Sequence, residues 1–163
     1  MMAPLKNDRE LLQKILLAAY ETAKLLPKTD MSRIAIVGYC FGGLCALDLA
    51  RSGVTLRGAV SLHGLLNAPN PVVKSQSESA VRPRVLVLHG YADPMVPPEQ
   101  VLSFAREMTQ GGFDWQMHMY GNCVHAFTNP HAQDANFGTV YNADADRRSW
   151  QAMSYFLQEV FAS

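Results

Sequence analysis

The 163-residue sequence predicts an α/β fold: a mostly parallel sheet of about four strands with helices on both faces. Three observations lead there. Unbroken apolar runs at Arg33–Gly38 and Val85–His89 fit parallel strands covered on both faces. Segments of helical period flank them. The order along the chain is helix, strand, helix, strand, loop, strand, helix, strand, helix, the alternation that builds a parallel sheet.

Taken in order, Asp8 to Leu26 is expected to form an amphipathic helix. Leu11, Leu12, Ile15, Leu16, Ala19 and Ala23 share one broad face, Asp8 suits the N-cap and Pro27 stops the helix. The strand Arg33–Gly38 leads into a helix over 41–52 closed by Gly53. Leu56–Leu62 is a second strand, ending in His63-Gly64. Residues 67–82 are polar, contain proline and carry no period; they read as a long loop, either a pocket rim or plain surface. The strand Val85–His89 follows, then a helix over Glu99–Thr109 with Pro98 at its start and Gly111-Gly112 after it. Asp114–Tyr120 alternates, Trp115, Met117 and Met119 against Gln116 and His118, as a half-exposed strand at a sheet edge would. Residues 121–142 are irregular and carry His125. A last helix runs to Phe161 from a cap at Asp144 or Asp146, with Trp150, Met153, Phe156, Leu157 and Val160 as its buried stripe.

Composition narrows the function. Fourteen basic residues balance fourteen acidic ones, and no basic stripe or acidic tail calls for nucleic acid or a membrane surface as partner. The apolar run Ile15–Tyr20 is too short to cross a bilayer, and no signal peptide is read at the start, so the cytoplasm is the expected location. Three cysteines without a Cys-x-x-Cys pair argue against a disulfide framework or a zinc site. Gly38, Gly42 and Gly43 do not match Gly-x-Gly-x-x-Gly, which argues against a dinucleotide site. Neither metal nor cofactor is expected.

The chemistry is expected at Cys40. Gly38-Tyr-Cys40-Phe-Gly42-Gly43 after a buried strand is the pattern of a nucleophile elbow, with Cys in place of Ser. Glycine on both sides is expected because a Cβ there would clash with the neighbouring strand or helix. The helix that follows offers free N–H groups beside the sulfur, which lower a thiol pKa and stabilise charge on a reacting oxygen. Asp93 and His125 each follow a later strand, so all three residues lie at the carboxyl end of the sheet, in the order nucleophile, acid, histidine. Cys40 would attack a carbonyl carbon, His125 would move the proton, and Asp93 would orient the imidazole. The oxyanion would accept from the backbone N–H of Phe41. Each residue also has a plainer reading: a small buried thiol, a cap for the helix near Pro97, a loop histidine. Their joint order and placement favours the set. His63 and His89, each before a glycine at a strand end, read as structural. Cys45 reads as core. Cys123 is a free thiol that would sit near Cys40, and a redox role for the two is the lowest-ranked alternative.

The stretches Gly38–Gly43, His89-Gly-Tyr-Ala-Asp93-Pro-Met-Val-Pro97, Tyr120-Gly-Asn-Cys-Val-His125-Ala-Phe-Thr-Asn-Pro130 and Phe137–Trp150 resemble the dienelactone hydrolase family. The resemblance implies a three-layer α/β-hydrolase fold, a Cys40-His125-Asp93 triad, and hydrolysis of small esters or lactones through an acyl-thioenzyme, with no cofactor. Two departures stand out. Four residues after His125, where the family as usually described carries an Arg that binds the carboxylate of dienelactone, this chain has Asn129. The chain also begins at the helix before the elbow strand, so residues 1–163 are expected to form a single N-terminally truncated domain, the C-terminal half of the family fold. The loop that gives the family's second oxyanion donor is then missing, and losing one donor typically costs 10²–10³ in turnover. The strand 33–38 is left with one bare edge, a template for association. A homodimer paired at that edge is therefore expected. The alternative is a catalytically weak or inactive dimerising remnant whose triad is not assembled.

Overall fold

The computed structural model describes residues 2–69 and 82–162. Most of the expected loop at 67–82 lies outside the described residues. A six-residue helix, α1 (Met2–Asn7), comes first, and it has no sequence signal beyond its residues' propensity. Helix α2 (Arg9–Lys24) follows, its N-cap Asp8 accepting from the Leu11 N–H as the sequence suggested. The elbow strand is β1 (Ala35–Tyr39), followed at once by α3 (Phe41–Arg51). Then come β2 (Gly58–Leu62), β3 (Arg84–Gly90), α4 (Pro98–Gln110) and β4 (Trp115–Tyr120). Two two-residue strands, β5 (Gln133–Asp134) and β6 (Thr139–Val140), pair antiparallel inside the segment read as irregular. Helix α5 (Ala143–Ala162) closes the chain.

The main sheet has the order β1-β2-β3-β4, and every neighbouring pair is parallel. Alternate residues of its strands feed two cores. Val60, Leu62, Leu86 and Leu88 pack against Met153, Phe156 and Val160 of α5. Ala59, Val85 and Val87 pack on the other face against Leu47 and Ala50 of α3 and Phe104 and Met108 of α4. Helix α2 packs beside α3 through a cluster of Tyr20, Leu49 and Leu56, against which Ile34 and Ile36 at β1 also pack. The central strands are apolar on both faces because helices cover both, which is why they read as continuous runs.

Two sequence expectations for α5 need correction. Neither Asp144 nor Asp146 caps it: the Asn142 side-chain Oδ1 accepts from the Ala145 N–H, two residues ahead of Asp144. Trp150 is not in the buried stripe but 61% exposed, since the inward face runs through Ala145, Ser149, Met153, Phe156 and Val160. β4 is an edge strand with alternating exposure, as its pattern indicated.

A buried ion network locks the helices beneath the site. Asp48 of α3 accepts from Arg9 of α2 and from Arg51 of its own helix, and Arg51 grips Glu107 of α4 with two hydrogen bonds of 2.7 and 2.8 Å. Arg51 and Arg9 also donate to the carbonyls of Leu66 and Asn67, and the Leu66 N–H donates to the Gln100 side chain. The segment after β2 is thereby held in one place on three sides. Such charges are tolerated indoors because each is paired and hydrogen-bonded.

Candidate active site

All four strands of the sheet deliver a polar residue to the same end. Cys40 follows β1, His63 follows β2, Asp93 lies three residues past β3 and His125 five past β4. Three of these were anticipated, and the structure brings them together. The His125 ring lies with Nδ1 2.8 Å from Asp93 Oδ2 and Nε2 3.0 Å from Cys40 Sγ. The other Asp93 oxygen accepts from the Met95 N–H, so the carboxylate is fixed at both ends. Asp93 and His125 are buried; the sulfur is half-buried and faces a cavity.

The elbow is strained in the manner of a nucleophile turn. Cys40 holds φ 53°, ψ −119°, a region that L-residues avoid. A Cβ on Gly38 would lie 1.9 Å from the Gly42 carbonyl oxygen, and one on Gly43 would lie 2.9 Å from the Gly64 Cα. Those two glycines are required by space. Gly42, expected to be required as well, is not: a Cβ there would meet nothing within 4 Å. Three of the four non-glycine residues with positive φ among the described residues are Cys40, His63 and Ala126, so the strain is concentrated at this end of the sheet.

The loop bearing His125 is clamped. Its N–H donates to the Gly138 carbonyl and its carbonyl accepts from the Val140 N–H, tying the loop to the β5–β6 turn. Gly138 sits at φ +75°, and a Cβ there would collide with Pro94, next to Asp93. The acid and the imidazole are thus held by one packed junction.

The electrostatics suit a thiolate–imidazolium pair. The hydrogen bond from His125 draws the Cys40 thiol down from its ordinary value, against partial burial, and the Phe41 backbone N–H adds to the effect. Burial opposes charging the His125 ring, but the hydrogen bonds to Asp93 and Cys40 outweigh it and push the imidazole up to about 9.

His63 was read as structural, and it is more than backbone packing. It is 3% exposed, its Nδ1 accepts from the Cys40 N–H at 3.2 Å, and its Nε2 lies 2.8 Å from Thr128 Oγ1. The ring stands edge-on to His125, centroids 5.2 Å apart. Its placement was readable in principle: it is the first residue past the one strand end not otherwise assigned a role. His89 stays structural in position, buried with Nδ1 unpartnered among the described residues. Cys123 is buried and packs in the α5-side core beside Phe127.

A cavity of about 460 Å³ opens on the sulfur. Phe41, Leu65, Met95, Ala126, Ala132 and Phe137 give it a largely apolar wall. Asn129 contributes an amide whose oxygen already accepts from the His131 N–H, and exposed Lys6 stands at the mouth. No cluster of His, Cys, Asp and Glu suited to a metal occurs among the described residues, and no described helix is long and apolar enough to span a membrane.

A sequence profile of the dienelactone hydrolase family matches residues 1–161. A Caenorhabditis elegans protein without assigned function is 35% identical over 147 residues, covering 89% of this chain and 91% of its own length. A Yersinia pestis protein, provisionally named a carboxymethylenebutenolidase, is 27% identical over 128 residues; the match covers 76% of this chain and 46% of that one. Among solved structures, one titled m3DLH superposes with a TM-score of 0.86 at 38% identity over 98% of this chain. A dienelactone hydrolase-like promiscuous phosphotriesterase, P91, from metagenomic libraries gives 0.85 at 34% identity over 97%. The chain spans 65% of each of those two structures and about half the length of the bacterial curated relative, but nearly all of the worm protein.

Proposed function

The chain belongs to the dienelactone hydrolase family, and from that premise we propose that it hydrolyses small esters or lactones through an acyl-thioenzyme formed on Cys40. The observation that carries this reading is the relay Cys40 Sγ–His125 Nε2 at 3.0 Å and His125 Nδ1–Asp93 Oδ2 at 2.8 Å, opening on a cavity. The thiolate attacks the carbonyl carbon, and the C=O electrons move onto oxygen, where the Phe41 N–H donates to them. As that tetrahedral species collapses, His125 delivers its proton to the leaving oxygen. The neutral imidazole then takes a proton from water, which attacks the thioester and returns the thiolate. Asp93 keeps the ring aimed and stabilises its charged form. The apolar wall favours an uncharged acyl portion. The short distances support an assembled site over the reading as an inactive remnant. Hydrolysis of p-nitrophenyl acetate tests the proposal. Cys40→Ala and His125→Ala are expected to lower turnover by about 10³-fold or more; rates equal to that of the parent chain would sink it.

For the partner, we propose a second copy of this chain at β1. Ile34 accepts from Arg57 and Cys40 donates to Leu62, so the even-numbered residues of β1 bond to β2 and the backbones of Ala35, Val37 and Tyr39 face outward. Val37 and Tyr39 are 38% and 42% exposed. An apolar open edge of this kind favours pairing with its own copy.

A further inference from the structure

We infer that His63 is a positioning residue, a brace that ties the backbone of Cys40 to the loop of His125 and so keeps sulfur and imidazole in register. The inference rests on the reading of Cys40 and His125 as nucleophile and base.

The direction of each bond follows from the atoms. The Cys40 N–H, shared with the Leu62 carbonyl, can only donate, so His63 Nδ1 accepts and carries no proton. A neutral ring then has its hydrogen on Nε2, which donates to Thr128 Oγ1. Thr128 is three residues past His125, on the same loop. One rigid imidazole therefore spans the two segments that must meet: the strained turn carrying the sulfur and the clamped loop carrying the base. Phe127 packs edge-on against the same ring at 5.1 Å, which limits its rotation.

The neighbours keep this tautomer in place. His63 faces the His125 ring, the Tyr39 ring at 6.0 Å, the Cys40 backbone and, further off, the Asp93 carboxylate. Burial first, and the positive His125 second, hold His63 down to about 4, so it stays uncharged where the thiolate–imidazolium pair forms. A protonated His63 would turn an N–H toward the Cys40 N–H and break the brace.

The test follows the thiolate directly, so it does not depend on finding a substrate. Alkylation of Cys40 by iodoacetamide is measured against pH, with peptide mass spectrometry separating Cys40 from Cys45 and Cys123. Parent chain, His63→Ala and Thr128→Val are compared, folding being checked by circular dichroism. With the brace cut, the imidazole drifts from the sulfur and the acid limb of the profile moves up. The expected shift for His63→Ala is about one pH unit, or about tenfold slower alkylation at pH 6. Thr128→Val moves the limb the same way by less. Should His63→Ala fail to fold, Thr128→Val alone decides. A parent-like profile in both variants overturns the inference. A shift in His63→Ala with none in Thr128→Val also overturns it, leaving His63 as a local cap on Cys40. A chain that alkylates as expected but hydrolyses no ester counts against the proposed activity and not against the brace.

Discussion

His63 and His125 stand 5.2 Å apart and are pushed in opposite directions, one down to about 4 and the other up to about 9. The cause is the partner each ring finds. His125 meets a carboxylate and a thiolate, which outweigh its burial; His63 meets two neutral groups and a positive neighbour. The low value of His63 has a consequence for stability. Below the ordinary histidine value the unfolded chain takes up a proton at this residue that the folded chain refuses, so stability is lost as pH falls from about 6.5 toward about 4. The loss is on the order of 3 kcal/mol across that window. Urea unfolding at pH 7 and at pH 4.5 should show it, and His63→Asn, which cannot titrate there, should lose less between those two conditions. An equal loss in both proteins would show that other groups dominate. At this scale the sequence singled out Cys40, Asp93 and His125, which the structure brings within hydrogen-bonding distance, because chain order and strand ends distinguish them. It did not reveal His63, since its role depends on Thr128, sixty-five residues away, and no local pattern joins the two.

At the scale of elements, the elbow is a packing problem before it is a chemical one. Gly38 is needed because α3 begins so soon after β1 that its first turn folds back onto the strand; Gly42 faces open space. Gly42→Ala should therefore fold and melt close to the parent protein, with a gain of up to about 1 kcal/mol from helix propensity. Gly38→Ala should fail to give a cooperative melt or a soluble chain. Comparable melts for the two variants would refute this account of the turn. The element boundaries read from the sequence lay within a few residues of those observed for β1 to β4, because apolar runs and flanking glycines mark them. The pair β5–β6 was not legible: two residues per strand carry no period. The cap of α5 was misplaced because Asp144 and Asp146 both fit the usual composition of a first turn, which is where they sit.

For the whole molecule, the sheet offers one finished edge and one unfinished one. β4 is an edge with alternating, partly polar exposure, whereas β1 turns Val37 and Tyr39 outward beside unused backbone groups. Light scattering at micromolar concentration is expected to give the mass of a dimer, and Val37→Lys, which places a charge on the shared edge, is expected to shift it toward monomer. A parent chain that scatters as a monomer ends the dimer proposal. The parallel α/β architecture was readable throughout, because a four-strand sheet covered on both faces writes itself as apolar runs between amphipathic helices. The junction around Gly138 has a different bearing, on how such a site can change. The segment 129–137 forms one wall of the cavity, yet the bonds that hold His125 come from Gly138 and Val140, at its far end. Phe137, 64% exposed, directly precedes that anchor, and Gln133–Asp134 of the wall pair with Thr139–Val140. Cavity-facing side chains and the backbone bonds that hold His125 thus belong to one short hairpin, so an exchange in the wall that keeps those backbone bonds changes what can enter, while one that breaks them also loosens the imidazole.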